Sequence, residues 1–578
     1  MRARLTAAVR ERVDIRDLMP SRADYDLRPR TLRSDLLAGI TVGVVALPLA
    51  LAFGVSSGVG PAAGLVTAVV AGIVAAVFGG SNLQVSGPTG AMAVVLAPIV
   101  AQHGVGSVAL VTLLGGALVL VCGLLRLGRV VTYIPWPVVE GFTLGIAAII
   151  FLQQVPAAVG ITAETGHNTL VTAVRSVGSA FTSGLTSGSP ADGGAPGWVW
   201  TLGVVAVVAA VMLVLPRVAS ALPASLVAVA LVTLLAGLLD APVPRIGALP
   251  SSLPVPVLPD ATPDAVRDLV GAAVAVAALA AIESLLSARV AATMSGAQGR
   301  TATYHPDREL VGQGFASLAS GVFGGIPATG AIARTAVNVR SGARTRLAAV
   351  VHALVILAVI YLATGPVSHI PLAALAGVLM VTSFRMIGAS TIRAVLTSTR
   401  PDAVTFVITA VITVAFDLID AVQIGLLVAA FFALKAVAGA ARVHREPLPG
   451  VAHEGDERIA LFRLEGAMFF GASDRILSEV TAITHGEPRL REPVNVVILW
   501  LSHLQLVDAT GARALADLVL ELEQRDVTVL VKGIQPQHRK LLEAVGLNRM
   551  LAHESHLFTD LPSAVEHARS HVPAPLTA

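Results

Sequence analysis

Charge is scarce in this chain. Asp, Glu, Lys and Arg make up 13% of its 578 residues, against roughly 25% in an average soluble domain. With 55% hydrophobic residues and a mean hydropathy of +0.78, no water-soluble body of this size hides so much apolar surface. The deficit excludes a soluble enzyme, a disordered chain and a nucleic-acid-binding module. Cysteine is all but absent. The single Cys122 lies in the apolar run LVLVCGLL, which excludes an intrachain disulfide and a cysteine-built metal site and leaves a packing role. A cleaved signal peptide is not expected either. The first long apolar run starts near Leu36, after nine Arg and six Asp/Glu, too late and too charged for one.

What is present is unevenly placed. Residues 36–440 are long apolar runs broken by Gly, Pro and short basic loops, and residues 441–570 have ordinary soluble composition. The expected organisation is a cytoplasmic segment 1–35, a polytopic membrane domain 36–440, a small soluble domain 441–570 and a tail 571–578. Fourteen candidate spans can be read: 36–55, 61–79, 87–101, 106–125, 131–153, 197–216, 223–239, 268–288, 309–323, 329–339, 347–364, 368–384, 403–417 and 420–437. Two of them, 87–101 and 329–339, are short and flanked by Gly and Pro. The formal charge of +3 sits in short loops. With the N-terminus inside, the loops after even-numbered spans hold Arg126 and Arg129; Arg217; Arg289, Arg300 and Arg308; Arg340, Arg344 and Arg346; and Arg385, Arg393 and Arg400. The opposite loops hold almost none, apart from Arg175, Arg245 and Arg267 in two long ones. This bias places both termini in the cytoplasm of a multi-pass protein of the cell (plasma or inner) membrane.

The chain also repeats itself. Phe78-Gly79-Gly80 precedes Thr89-Gly90-Ala91-Met92-Ala93, and Phe323-Gly324-Gly325 precedes Thr329-Gly330-Ala331-Ile332-Ala333. The two pentapeptides fall in the third and tenth runs. Seven spans per half is an odd number, so equivalent spans run in opposite directions, as an inverted repeat. Short Gly/Pro-interrupted segments at matching positions of such halves point to a transport site.

A broken helix exposes unpaired N–H groups and a partial positive charge at its N-terminus. SGPTGAM (86–92) places Pro88 where a helix would begin, with Ser86 before it as a possible cap, and IPATGAIAR (326–334) does the same with Pro327. Two such termini meeting at mid-membrane make an anion site. Gly87, Thr89, Gly330 and Ala331 let a ligand approach the backbone, and Thr89 and Thr329 add hydroxyls. The plain alternative is a pair of kinks in ordinary spans. Arg334 follows on the second segment; a full charge there is a functional candidate that can hold an oxyanion bidentately, or else an anchor reaching to the interface. Glu283, in VAALAAIESLLSARV, can carry a proton, pair with Arg334 when no substrate is bound, or form a permanent ion pair. Glu140, Asp417 and Asp420 read as wetted residues, and His103 and His352 as packing or surface residues.

Past residue 440 the pattern changes. Residues 459–464, 494–501 and 527–534 read as strands, and 510–525 and 537–547 as helices, an α/β alternation. This part has no Gly-rich phosphate loop and no HExxH.

The runs GGSNLQVSGPTGAMAVV, IESLLSARVA and ELVGQGFASLASGVFGGIPATGAIARTAVNVRSGARTRLA resemble the sulfate permease (SulP) family of anion transporters. LWLSHLQLVDATGARAL resembles the STAS domain attached to them. The resemblance implies a polytopic α-helical membrane protein of fourteen spans, built as a 7+7 inverted repeat with two half-helices in core and gate domains, plus a small cytoplasmic α/β STAS domain. It implies a homodimer in the lipid bilayer and elevator-type alternating access. The implied substrate site lies between the half-helices: Phe53, Ser86, Gly87, Thr89 and Gly90 on one side, Gly330, Ala331, Ile332, Ala333 and Arg334 on the other. The family often has Gln in the first span where this chain has Leu49. Sodium-coupled bicarbonate members carry Asp at the Glu283 position, Thr at Ser287 and a hydroxyl residue at Ile332. Ile332 offers only its backbone, so Glu283, with Ser287, reads as the proton-coupling site and sodium as the less favoured ion. Thr510, in the Asp508-Ala509-Thr510-Gly511 loop, matches the phosphorylation position of STAS domains; its plain alternative is a helix cap.

The expected function is therefore secondary active anion transport, with proton-coupled sulfate uptake leading and bicarbonate or a dicarboxylate second. An uncoupled exchanger or channel, a receptor or scaffold displaying the STAS domain, and a nucleobase permease are the competing readings. No enzyme activity, cofactor, metal or nucleic-acid partner is expected, and the STAS domain's cytoplasmic partner is not legible.

Overall fold

The structure, a computed structural model, describes residues 18–21, 24–129, 135–161, 169–186, 197–219, 222–297, 304–415, 418–440, 442–468, 480 and 494–572. Arg300, Asp417 and the tail past 572 lie outside the described residues, as do the side chain of Asp420 and residues 1–17 of the N-terminal segment. The chain forms two compact units, Met1–Leu426 and Leu427–Ala578.

The first unit is helical. Its elements are α1 Pro29–Ser56, α2 Pro61–Phe78, β1 Ser86–Gly87, α3 Gly90–His103, α4 Gly106–Leu124, α5 Trp136–Ala158, α6 Thr169–Thr186, α7 Gly197–Val218, α8 Ala224–Leu238 and α9 Pro263–Ala297. They continue with α10 Pro306–Val322, β2 Thr329–Gly330, α11 Ile332–Arg340, α12 Leu347–Leu362, α13 Thr364–Ser368, α14 Leu372–Met386, α15 Ala389–Leu396 and α16 Arg400–Ala415. α17, Leu418–Ala440, runs across the division into the second unit. Each of the fourteen apolar runs contains one helix. Among the described residues seven are long and apolar enough to cross a membrane, and four shorter apolar helices accompany them.

α6 falls in a segment read as a loop. Its buried positions Ala173, Ser176 and Ala180 recur at helical spacing, and it packs on α5. Its apolar stripe is interrupted by Arg175 and several Ser and Thr, so it carries no long hydrophobic run.

Lipid and protein interior are equally apolar, so these helices associate through close packing rather than hydrophobic exclusion. Gly123 of α4 lies so near α10 that a Cβ there would stand 2.7 Å from the Val311 nitrogen. Gly141 of α5 faces α16 in the same way, a Cβ falling 3.0 Å from the Thr409 Cβ.

α3 and α11, at 14 and 9 residues, are too short to cross, since a span takes about 20 residues. Each is preceded by extended chain whose backbone groups need partners in an apolar interior. They find them in each other: β1 and β2 pair antiparallel, Ser86 opposite Gly330 and Gly87 opposite Thr329. Antiparallel contact between corresponding segments is what oppositely directed repeats produce.

The second unit carries β3 Arg442–Glu446, β4 Ile459–Met468, β5 Val496–Val507, α18 Ala509–Glu523, β6 Thr528–Lys532, α19 Pro536–Ala544, α20 Leu547–Met550, β7 Leu557–Phe558 and α21 Leu561–Ser570. The sheet order is β3-β4-β5-β6-β7, with β3 antiparallel to β4 and the rest parallel. The central strands have buried apolar runs, as a sheet covered on both faces requires. The edge strands β3 and β7 escape the sequence pattern because one is RVHRE and the other two residues long.

Candidate functional site

The site starts from the two interrupted segments. α3 begins at Gly90 with Thr89 as N-cap, and α11 at Ile332 with Ala331 as N-cap. Both caps are extended, and neither makes a side-chain capping bond. The helices thus start later than Pro88 and Pro327 suggest, because the paired strands hold the preceding backbone extended. Ser86 is not a cap. It lies in β1, and its hydroxyl accepts a 2.6 Å hydrogen bond from Gln313 Nε2 of α10.

The threonines turn elsewhere. Thr89 Oγ1 donates to Glu283 Oε2 at 2.9 Å, and Thr329 Oγ1 donates to the same oxygen at 2.8 Å. Glu283 is presented by α9, which runs beside the paired strands. One residue on, Ser284 accepts from the Gly330 N–H at 3.1 Å. One turn on, the buried Ser287 lies 3.1 Å from Thr335 Oγ1 of α11, and that oxygen also accepts from the Val85 N–H at 3.0 Å. Ser287 therefore braces α9 against α11.

Arg334 is buried, with 2% of its surface exposed. Its Nη2 donates to the Pro88 carbonyl, tying α11 to the start of α3, while Nη1 is buried without a hydrogen-bond partner. Gly87 makes room for it: a Cβ there would stand 2.6 Å from Nη1. No ion pair joins Arg334 to Glu283 among the described residues; the two threonines occupy the carboxylate instead. Interface anchoring does not describe Arg334, which sits beneath β1 rather than reaching to solvent.

Phe53 of α1 is buried and borders the α3 N-terminus, where a Cβ on Gly90 would stand 3.1 Å from Phe53 Cε1. Leu49, one turn earlier, is buried and apolar. Ala331 is buried, whereas Ile332 and Ala333 are exposed on the first turn of α11. One locus thus holds Phe53, Thr89, Gly90, Gly87, Gly330, Arg334 and Glu283, with Ser86 and Ser287 bonded to its outside.

Several participants lacked a sequence signal. Ser284 and Thr335 are single small polar residues in helices, with no motif around them that names their partners. Gln84, whose side-chain amide is buried without a partner, abuts Gly330, where a Cβ would fall 2.7 Å from its Cδ. Of the other polar residues, Glu140 accepts from Trp136 Nε1 at 3.0 Å in an exposed position, His103 is exposed, and His352 is fully buried.

In the second unit, Asp508 caps α18, accepting from the Gly511 N–H at 2.7 Å. Thr510 is exposed on the first turn, so the capping role belongs to Asp508.

The family model described as the sulfate permease family matches residues 32–409, and that of the STAS domain matches 451–564. The chain is 33% identical over 521 residues to the protein named "Putative sulfate transporter YvdB" of Bacillus subtilis, covering 89% of this chain and 94% of that one. It is 30% identical over 561 residues to a bicarbonate transporter of Synechocystis, covering 93% and 94%. Among solved structures, the transmembrane domain of a cyanobacterial bicarbonate transporter superposes with a TM-score of 0.59 at 29% identity, covering 70% of this chain and 98% of that one. The murine solute carrier 26 member A9 shares the fold, with a TM-score of 0.78 at 16% identity, covering 95% and 93%.

Proposed function

The chain belongs to the sulfate permease family, whose members are transporters rather than enzymes, and from that premise we propose that it takes up sulfate by proton-coupled symport. The anion binds between the N-termini of α3 and α11. The observation that carries this reading is the buried Arg334 Nη1 without a partner, beside two uncapped helix N-termini. The first-turn N–H groups and the guanidinium supply donors and positive potential. Phe53 closes the apolar side.

Coupling follows from the Glu283 triangle. An ionised Glu283 draws both threonine hydroxyls onto one oxygen and repels an arriving anion. A proton on the carboxyl removes the repulsion and releases a hydroxyl to turn toward the anion. Proton and anion then favour each other's binding, which is the thermodynamic condition for symport. A sodium ion requires several oxygen ligands, and Ile332 contributes no side-chain oxygen.

Because β1, β2, α3, α9 and α11 are hydrogen-bonded into one body, the site moves as a unit, which suits an elevator-type motion of this core against the remaining helices in a homodimer. The further expectations, cytoplasmic termini in the plasma membrane, a membrane domain ending near residue 440 and regulation through phosphorylation of exposed Thr510, belong to the same proposal. Mass spectrometry of the native protein under several growth states tests the last.

A second reading is bicarbonate, favoured by the 30% identity to the Synechocystis transporter. The deciding experiment is labelled sulfate uptake into proteoliposomes with and without an inward proton gradient, with and without sodium, competed by bicarbonate and by fumarate. Gradient-driven sulfate accumulation without sodium supports the proposal. No sulfate flux, with labelled bicarbonate or fumarate taken up by the same proteoliposomes instead, redirects it to that substrate. A pH-indifferent flux makes the protein an uncoupled exchanger or channel.

A further inference from the structure

The second unit carries a cluster of histidines that anion transport does not use. His567 and His571 stand four residues apart at the end of α21, so their rings share one face. Their Nε2 atoms are 3.2 Å apart. His556 reaches them from the short 3₁₀ turn before β7. One ring nitrogen from each of the three lies within 4.8 Å of the others.

We infer that His556, His567 and His571 form a transition-metal site that takes a zinc ion. Two imidazole nitrogens on one tetrahedral Zn²⁺, each about 2.0–2.1 Å from it, lie about 3.3–3.4 Å apart. The His567–His571 separation already matches this, and ring rotation brings in the third nitrogen. A second observation points to a ligand. His556 is 3% exposed, yet its Nδ1 has no hydrogen-bond partner. The same ring bonds the Val529 backbone, and the tautomer protonated at the nitrogen making that bond leaves the unpartnered Nδ1 lone pair free to ligate. An all-imidazole set suits zinc, copper or nickel and disfavours calcium and magnesium, which require oxygen ligands. Three protein ligands leave a fourth position for water. A bound ion ties the turn before β7, an edge strand of the sheet, to α21, so metal would stiffen the end of the STAS unit whichever anion the protein carries.

The test uses the full chain purified in detergent through a tag free of histidine and stripped with a chelator. Zn²⁺ is titrated calorimetrically, and Co²⁺ is added as a spectroscopic probe of tetrahedral coordination. Expected are one Zn²⁺ per chain, an intense tetrahedral Co²⁺ spectrum and a higher melting temperature with zinc. His567→Ala and His571→Ala each weaken binding by at least about 10-fold, since even outer-shell changes cost 10–100-fold, and each abolishes the spectrum and the thermal shift. Both positions lie at the end of an outer helix, and the melting temperature without metal reports whether each variant folds. Equal zinc binding by wild type and both variants, or no binding by wild type, overturns the inference and leaves a hydrogen-bonded histidine pair.

Discussion

Thr89 and Thr329, 240 positions apart in the chain, hold their hydroxyl oxygens 3.0 Å from each other. They are equivalent residues of the two repeats, and both donate to one oxygen of Glu283. Each hydroxyl has one proton, so the carboxylate takes both donors and the Thr–Thr contact is a consequence of their convergence.

Removing one donor leaves a buried carboxylate short of a partner. A lost hydrogen bond to a charged group costs about 1.5–3 kcal/mol. Thr329→Val is expected to reduce uptake roughly 10- to 100-fold, as that range converts at about 1.4 kcal/mol per decade. Thr329→Ser, which keeps the hydroxyl, should retain most of it. Initial rates in proteoliposomes, normalised to reconstituted protein, decide this; equal loss in both variants would assign Thr329 a packing role.

Glu283→Gln keeps the shape and removes the titrating proton. The expected result is loss of accumulation against a gradient, with anion binding and downhill exchange retained. Binding is read by calorimetry and accumulation by labelled uptake under a proton gradient. Undiminished gradient-driven accumulation in the variant would move the coupling site elsewhere.

Gly87→Ala places a methyl 2.6 Å from Arg334 Nη1. The guanidinium must shift from its place beneath β1. Anion affinity should fall while the protein still reconstitutes, and Arg334→Lys should not restore function, because a point charge does not reproduce the guanidinium fork. Anion titrations of wild type and both variants check this.

Asp24 lies outside the spans and binds Arg308 through both carboxylate oxygens, at 3.2 and 2.6 Å, with Arg346 3.6 Å away. Burial pushes its carboxyl up, but the Arg308 bonds, the Ser21 N–H and the Arg346 charge outweigh it and hold the group below its usual range. Its stabilisation is present above the ordinary Asp value of about 3.9 and is lost as pH falls through the lowered folded value. Arg308 is buried but Asp24 only half-buried, so solvent screens the pair and breaking it costs less than the about 3–5 kcal/mol of a fully buried one. Asp24→Asn should therefore lower the melting temperature in detergent at neutral pH and flatten its decline below about pH 4. A variant melting like wild type at pH 7 would count against this.

Much of the site was readable because it is written in local patterns. The FGG…TGA repeat marked both broken segments, and Glu283 and Arg334 stood out as charges in apolar runs. The pattern misled about partners. Ser86 has the composition of a cap, and nothing near it in sequence announces Gln313 of α10. Pairing with Arg334 was one of the roles open to Glu283; in the structure two threonines take the carboxylate and the Pro88 carbonyl takes the guanidinium.

The sequence by itself determined the solvent of each part of the chain, the fourteen apolar runs that became helices and the two places where a helix breaks. Hydropathy, Pro and Gly act within a few residues, so those outcomes are local. Only the tertiary structure decided which polar groups meet. In an apolar interior a buried donor or acceptor is costly without a partner, but that cost leaves the partner's identity open. Strand pairing between β1 and β2 and the alignment of α9 beside them chose Thr89, Thr329 and Glu283 for one another.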